Sequence, residues 1–592
     1  MSLKSPIIEE VKYDVDAIKT LKDNLKDDLG KQELLLEYPT DYVIYSKQDK
    51  EAKAYEVYVG ETNNIGRRTL QHLNEDSKNR EDWNELSKKS NVKMIVIGHE
   101  HFNKSLTLDI ENRLMLYLGS VNAVKKLDNR RTNSQNKYYT SDEMNPLFSK
   151  VWRKLRQKNN ELFPVERVIR DSAIFKASPF HSLTKEQDIS RELIFEKVQK
   201  VIKEHKTGQL IFVEGEAGSG KTVLLSSLFY LLSTEAINNK RLNNYLLVNH
   251  DQQLKVYKQI ATKLDLDSEV KDIVSKPTHF INTHKSSDPV DVVLVDEAHL
   301  LWTQGKQSYR GNNQLEDILK LAKVTIIIFD KHQILTTEEY WENSQINNLR
   351  KKAIQQENFI QLHNQMRMDA SPATLHWIHD FVFSKKISMI PKDDRGYDLR
   401  VMKSPQELEL AIKKHANERE SIKNGLSRVL ATFDWEYVDK KSPDEKSLGK
   451  NKYWNVKVGK WKMPWNLQLN QTKTEKRKNR ELSWAEQPQT INEVGSTYTI
   501  QGFDLNYSGV VIGPSVKYRN GKVIFDPDAS YNKKAVRNRT LSDGSKAKVG
   551  EELLPNELNV LLTRGVNGLY IYAVDPELQE KLLQSQVERD DL

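Results

Sequence analysis

The sequence predicts an α/β multidomain chain: a small α+β domain with an antiparallel sheet, then two parallel-sheet lobes. Three observations predict it. The 592 residues exceed what a single hydrophobic core serves. Around residues 41–60, two short runs alternate apolar and polar residues, the pattern of a hairpin with one buried face. Beyond residue 180, short apolar runs alternate with amphipathic stretches, as in a parallel sheet covered by helices.

Composition narrows the function classes. There are 91 Lys and Arg against 83 Asp and Glu, a formal charge of +8, which suits an anionic partner such as nucleic acid. Cysteine is absent, so disulfides, thiol nucleophiles and cysteine zinc sites are excluded. The opening "MSLKSPIIEEVKYDVD" has no apolar core of signal-peptide length, and no apolar run approaches the ~20 residues of a membrane helix. No membrane contact is expected, and a cytoplasmic setting fits. Oligomeric state is not legible.

The elements follow in order. Residues 5–30 read as a polar amphipathic helix within an N-terminal helical segment, 1–37. "DYVIYS" (Asp41–Ser46) and "AYEVYVG" (Ala54–Gly60) are hairpin strands joined by the polar "KQDKEAK". "NVKMIVIG" is a third strand, and "SLTLDIENRLMLYLG" a helix with apolar residues three and four apart. These form a domain over 38–160. "PVERVIRDSAIFKASP" has little pattern and is read as part of a linker, 161–180. The lobes are placed at 181–395 and 396–592, the second with a Trp/Lys-rich insertion around 435–484.

Cleaving a phosphodiester needs an activated water, a cation for the phosphorane charge, and usually a carboxylate-held metal. Tyr45 and Tyr58 lie on the hairpin strands, and Gly60 ends the second. Arg68 and His72 sit one turn apart on a following helix, hence on one face. Glu111 lies in the next helix among Leu108, Ile110, Leu114 and Leu116. This set resembles the GIY-YIG nuclease family over roughly residues 38–140, with "VIY" (Val43–Tyr45) as the first signature and "YVG" (Tyr58–Gly60) as the second. Val43 replaces the signature glycine. The resemblance implies that Tyr45 or His72 deprotonates water, Tyr58 positions it, Arg68 stabilises phosphate and Glu111 binds Mg²⁺ or Mn²⁺. Asn129, Asn122 or Asn133 stands for a late asparagine.

"LIFVEGEAGSGKT" is an apolar strand followed by G-x-x-x-x-G-K-T. Gly215, Gly218, Ser219 and Gly220 form a loop whose N–H groups can wrap phosphate, Lys221 reaches the β/γ-phosphates, and Thr222 ligates Mg²⁺. "DVVLVDEAHLL" supplies a buried strand ending in Asp296, a Mg²⁺ ligand, and Glu297, which activates water.

Later segments resemble superfamily 1 helicases with RecA-like lobes, most closely the Schlafen-type branch, over residues 180–580. "LTKEQ" implies an adenine-reading Gln187, "IIIFDKHQIL" a γ-phosphate-sensing Gln333, and "NQMRM" an arginine at Arg367. "GSTYTIQGFDLNYSGVVIG" carries Gln501, Gly502 and Asp504, and "NVLLTRG" carries Arg564. Fused to a GIY-YIG head, the whole resembles a bacterial family of such fusions. It implies an ATP-driven motor joined to an endonuclease, acting on DNA rather than RNA and serving defence against phage or foreign DNA. An RNA-directed nuclease–ATPase, a switch ATPase that senses nucleic acid without unwinding, and a repair setting stay open. Five tryptophans at 435, 454, 461, 465 and 484 are interleaved with lysines. They read as a β-rich packing unit before a base-stacking surface, and "KTEKRKNR" reads as a solvated loop.

Overall fold

The computed structural model describes residues 3–47, 54–76, 78, 83–84, 89, 91–129, 138–215, 218–237, 240–268, 270, 272–305, 309–363, 367–417, 425–439, 443, 453–480 and 482–586. Most of the hairpin connection, Asn133, Glu216, Ala217 and Asn364–Met366 lie outside these. The chain divides into two compact units, 1–185 with 226–242 and 256–274, and the remainder.

The first unit is built on a five-stranded sheet in the order β1-β4-β2-β3-β5. Its strands are β1 Ile7–Lys12, β2 Thr40–Lys47, β3 Tyr55–Thr62, β4 Val92–Gly98 and β5 Val124–Leu127. Pairing is antiparallel except at the β3–β5 edge. β1 corrects the expected N-terminal helix: Ile8 and Val11 are buried, and the strand adds to β4 before α1 (Ala17–Asn24) and α2 (Leu29–Leu36) cover one face. The other face carries α4 (Lys104–Ser120), whose Leu106, Ile110 and Leu114 are fully buried, and α5 (Met144–Lys158) with Trp152 and Leu155. α3 (Ile65–Gln71) follows β3.

Two further expectations change here. Residues 161–180 are not an open linker: α6 (Glu166–Arg170) and α7 (Ala173–Lys176) follow α5, and Leu162, Phe163, Ile169 and Phe180 join its core. Residues 226–242 and 256–274, expected within the first lobe, belong to this unit. Tyr230 donates to the Asn129 carbonyl at 3.0 Å, and Lys263 Nζ donates to the carbonyls of Gly119 and Val121 at 3.0 and 2.9 Å.

The second unit holds two parallel sheets. The first runs β8-β7-β9-β10-β6-β11, with β6 Gln209–Gly215, β7 Asn244–Val248, β8 Val274–Ser275, β9 Val290–Asp296, β10 Ala322–Phe329 and β11 Phe359–Leu362. Pairing from β7 through β11 is parallel. β9 is buried at every residue, which is why it reads as a continuous apolar run rather than an alternation. The second sheet is wholly parallel, in the order β12-β18-β17-β13-β16. These strands are β12 Asp398–Val401, β13 Arg428–Ala431, β16 Val494–Gly495, β17 Leu505–Ile512 and β18 Gly565–Ala573.

Between β13 and β16 the Trp/Lys-rich segment forms a hairpin, β14 Asn455–Val458 and β15 Trp461–Pro464, and then a helix, Lys473–Asn479. The tryptophans are packing residues: Trp465 and Trp484 are fully buried, Trp461 nearly so, and Trp435 and Trp454 pack partly buried beside them. "KTEKRKNR" is thus helical and not a loop, started by a capping box between Thr472 and Glu475.

Asn129 does the work of a strand residue past the end of β5. Its side-chain oxygen accepts the Val59 N–H at 3.0 Å and its nitrogen donates to the Val59 carbonyl at 2.7 Å. Asn129→Ala leaves both buried backbone groups unmatched and is expected to destabilise the first unit by about 1–3 kcal/mol. Urea denaturation followed by tryptophan fluorescence checks it; an unchanged midpoint would contradict this role.

Candidate functional sites

The first site is set by strand register. β2 on β3 pairs Tyr42 with Gly60 and Ile44 with Tyr58, so both tyrosines project from one sheet face. Gly60 is required there: a Cβ would run into the Tyr42 ring. Asn64 caps α3 by accepting the Arg67 N–H at 2.9 Å, which orients Arg68. At His72 the helix widens into a π-turn, His72–Asp76, and turns His72 inward, where its side chain is fully buried.

His72 is held on three sides. Nε2 lies 2.9 Å from the Tyr42 hydroxyl, Nδ1 lies 2.6 Å from Asp76 Oδ2, and the Trp83 ring stacks on the imidazole at 3.7 Å and 15°. Tyr58 meets both rings edge-on, at 5.5 and 4.7 Å between centroids. Arg68 Nη1 donates to Gln71 Oε1 at 3.0 Å and stands 3.9 Å from Asp76 Oδ2. Burial pushes the Tyr42 and Tyr58 phenols above their ordinary range; the Arg68 guanidinium beside them pulls the other way, and Glu111 pushes further up. Glu111 of α4 therefore acts on the same two phenols.

Tyr45 does not belong to this set. Strand alternation turns it to the opposite face, against Tyr55, and its hydroxyl donates to Glu10 Oε2 at 2.7 Å. Tyr42, and not Tyr45, stands beside His72 and Tyr58.

Among the described residues, no three His, Cys, Asp or Glu side chains form a metal-binding group. Glu111 is the carboxylate that acts on both phenols, and a lone carboxylate suits a hydrated Mg²⁺-like ion which keeps most of its waters. Asp41 lies close by. It is fully buried, its oxygens make no hydrogen bond among the described residues, and burial, Glu111 and Glu61 raise its carboxyl well above the usual range.

The second site lies at the C-terminal ends of β6, β9 and β10. Gly218 and Gly220 adopt φ of 92° and 74°, which turns the loop ahead of the helix Lys221–Thr234. A Cβ on Gly215 would strike Ser219 Oγ, which is buried without a hydrogen bond among the described residues. Gln187 Nε2 donates to the Ser219 and Gly220 carbonyls at 3.2 and 3.4 Å, so it braces this loop. Lys221 Nζ donates to the Gly215 carbonyl at 2.6 Å and Asp330 Oδ2 at 3.2 Å. Burial alone would raise the Asp330 carboxyl, but Lys221, His299 and Gln333 hold it down to about 2.

Thr222 follows on the first helical turn, and Asp296, at the end of β9, is 1 % exposed. Asp296 Oδ1 accepts the Glu297 N–H at 2.9 Å. Glu297 sits at φ 48°, a left-handed conformation rare for a non-glycine residue, with its Oε2 3.4 Å from His299 Nε2.

From Asp330 a chain reaches the second lobe. Gln333 Nε2 donates to Asp330 Oδ2 at 2.8 Å, Gln333 Oε1 accepts from Arg564 Nη2 at 3.1 Å, and Gln501 Nε2 donates to the Gln333 carbonyl at 3.4 Å. Arg564 is fully buried and also donates to the Val560 and Phe503 carbonyls. Arg367 pairs with Asp504 at 2.6 Å. Gly502 has φ 82°, and a Cβ there would meet the Gln253 side chain.

Sequence reasoning missed Tyr42, Asp76, Trp83 and Asp330. Two carried a signal: Tyr42 shares the face of Tyr58 once the hairpin register is laid out, and Asp76 stands four residues after His72. Trp83 becomes visible only in three dimensions.

Known proteins bear on both sites. Residues 208–575 match the family model described as Schlafen group 3, DNA/RNA helicase domain, and residues 41–123 match the GIY-YIG catalytic domain. The uncharacterized protein YPL245W of Saccharomyces cerevisiae is 32 % identical, covering 68 % of this chain and 91 % of its own. A solved chain from a study titled "Structural Basis for DNA Unwinding at Forked dsDNA by two coordinating Pif1 helicases" is 10 % identical with a TM-score of 0.24, over 69 % of this chain and 95 % of that one. No helix among the described residues is long and apolar enough to cross a membrane. Helicase and GIY-YIG domains generally depend on ATP and a divalent metal. The chain is an enzyme with hydrolase activities on ATP and on nucleic acid, and it belongs to the Schlafen group 3 helicase family, with a GIY-YIG catalytic domain ahead of its helicase domain.

Proposed function

We propose that the chain is an ATP-driven DNA motor coupled to a metal-dependent endonuclease, and that it cuts phage or other foreign DNA in a bacterial setting. The observation that carries the nuclease reading is the hydrogen-bonded series Asp76–His72–Tyr42 beside Tyr58, Arg68 and Glu111. An ionised Asp76 can only accept, so the His72 proton resides on Nδ1 and Nε2 is left to take the Tyr42 proton. Tyr42, relieved of that proton, accepts one from the attacking water. Tyr58 orients the water, and Arg68 meets the charge that develops on the phosphate. Glu111 would hold Mg²⁺ or Mn²⁺, which when bound polarises the scissile phosphate.

In the motor, the loop Gly215–Gly220 and Lys221 cradle the ATP phosphates, and Thr222 and Asp296 would hold Mg²⁺. Gln187 contributes to the nucleotide site through its grip on the loop, and Glu297 orients the hydrolytic water. Gln333, Gln501 and Gly502 couple the γ-phosphate to the second lobe, and its charge is met by Arg564 of that lobe and by Arg367 of the first, which pairs with Asp504. Lys221 Nζ donates to Asp330 Oδ2, so a bound phosphate would compete with that carboxylate. The RNA alternative draws on the matched domain's description, which names both polymers.

Lys221→Ala is expected to lower ATP turnover by about 10²-fold or more, because the loop loses its phosphate cation. Glu111→Ala is expected to abolish cleavage in both Mg²⁺ and Mn²⁺ while ATP turnover persists. Assaying both variants and the parent on single- and double-stranded DNA and RNA tests site and polymer together. Cleavage undiminished in Glu111→Ala contradicts the nuclease reading, and stimulation by RNA alone contradicts the DNA reading.

A further inference from the structure

Residues 453–480 concentrate the chain's charge. They hold eight Lys and Arg and one acid, Glu475, a formal +7, whereas all 592 residues together amount to +8. The structure places these cations on one ordered element group. In the β14–β15 hairpin, Val456, Trp461 and Met463 are buried, while Lys457, Lys460 and Lys462 are exposed. Lys457 and Lys462 are direct cross-strand partners. Two like charges facing each other across a hairpin destabilise it, so folding gives no reason for the pair.

The helix Lys473–Asn479 has no buried residue, and Lys473, Lys476, Arg477 and Lys478 are all exposed, with Arg480 just beyond. Its one acid is engaged by the cap, where Glu475 Oε2 accepts the Thr472 N–H at 2.7 Å. Among the described residues, none of the eight cations forms an ion pair.

The group is anchored, not tethered. Buried Glu493 accepts the N–H groups of Gln468 and Leu469 at 2.7 and 2.5 Å, fixing the turn in which Asn466 and Leu467 both have φ 61°. Asn479 Nδ2 donates to Gln471 and Gln489 at 3.0 and 3.1 Å, tying the helix to the segment that leads into β16.

We propose that this hairpin-and-helix surface binds the phosphate backbone of the nucleic-acid substrate; the proposal rests on reading the chain as a nucleic-acid enzyme. Because Trp461, Trp465 and Trp484 are buried and Trp435 and Trp454 pack against them, the contact reads charge and not bases, and it is independent of sequence.

The test uses the full chain in two variants, one with Lys457, Lys460 and Lys462 changed to Glu, the other with Lys473, Lys476, Arg477 and Lys478 changed to Ala. Fluorescence anisotropy with labelled oligo-dT, a mixed-sequence duplex and a single-stranded RNA is followed from 50 to 300 mM KCl, with thermal melting as the check on folding. Each variant is expected to bind roughly tenfold or more weakly at 100 mM salt, equally across sequences, with a log K against log salt slope shallower by ~2–3. If the hairpin variant fails to fold, the helix variant, which alters no buried residue, decides. Parental binding with unchanged slopes in the folded variants overturns this inference alone. A parent that binds no oligonucleotide overturns the nucleic-acid reading as well.

Discussion

The nuclease site depends on one register, β2 on β3. Pairing Tyr42 with Gly60 places two phenols on one face, and the missing Cβ of Gly60 lets the Tyr42 ring lie across the neighbouring strand. From that position its hydroxyl reaches His72, which Asp76 and Trp83 fix from the other sides. A slip of one residue would send Tyr42 to the opposite face and replace it with Tyr45's surroundings, where a phenol meets Glu10 and no imidazole. Asn129 protects the register by completing the ladder at Val59, one residue from both Tyr58 and Gly60.

The nucleotide site is organised by shared partners. Asp330 accepts from Lys221 and Gln333, Gln333 accepts from Arg564, and each of these side chains is nearly or fully buried. In a water-poor interior such a series is strong when every member is satisfied and costly when one is removed. Removing Lys221 would therefore weaken the hold on Asp330 that Gln333 and, through it, Arg564 share. The series links the phosphate-binding loop to the second lobe through three side-chain contacts.

Much of this was legible in the sequence because the motifs are local. A glycine-rich loop after an apolar strand, or an apolar run ending in Asp296 and Glu297, carries its geometry within a dozen residues. Arg68 and His72 were legible for the same reason, being one turn apart. The placement of Tyr45 is not legible, because a short tyrosine-containing string does not state which face its tyrosine occupies; only the cross-strand partner does. β1 was read as helix because "IIEEVK" is too short to separate the two periodicities, and pairing with β4 decides it. Residues 161–180 lack a pattern because α6 and α7 are each barely one turn long and owe their order to the core they cover. The Lys221–Asp330 contact spans 109 residues and has no local signature.

The central claim is that Tyr42, and not Tyr45, faces the scissile phosphate. The most direct measurement is a paired comparison of single-turnover cleavage by Tyr42→Phe and Tyr45→Phe under saturating metal. Tyr42→Phe removes the hydroxyl that hands its proton to His72, so the account predicts a loss of about 10²–10⁴-fold, the usual span of a general base. Tyr45→Phe removes a hydrogen bond to Glu10 and should leave the cleavage rate within a few-fold of the parent, with about 1 kcal/mol less stability. Cleavage abolished by Tyr45→Phe and retained by Tyr42→Phe would contradict the account.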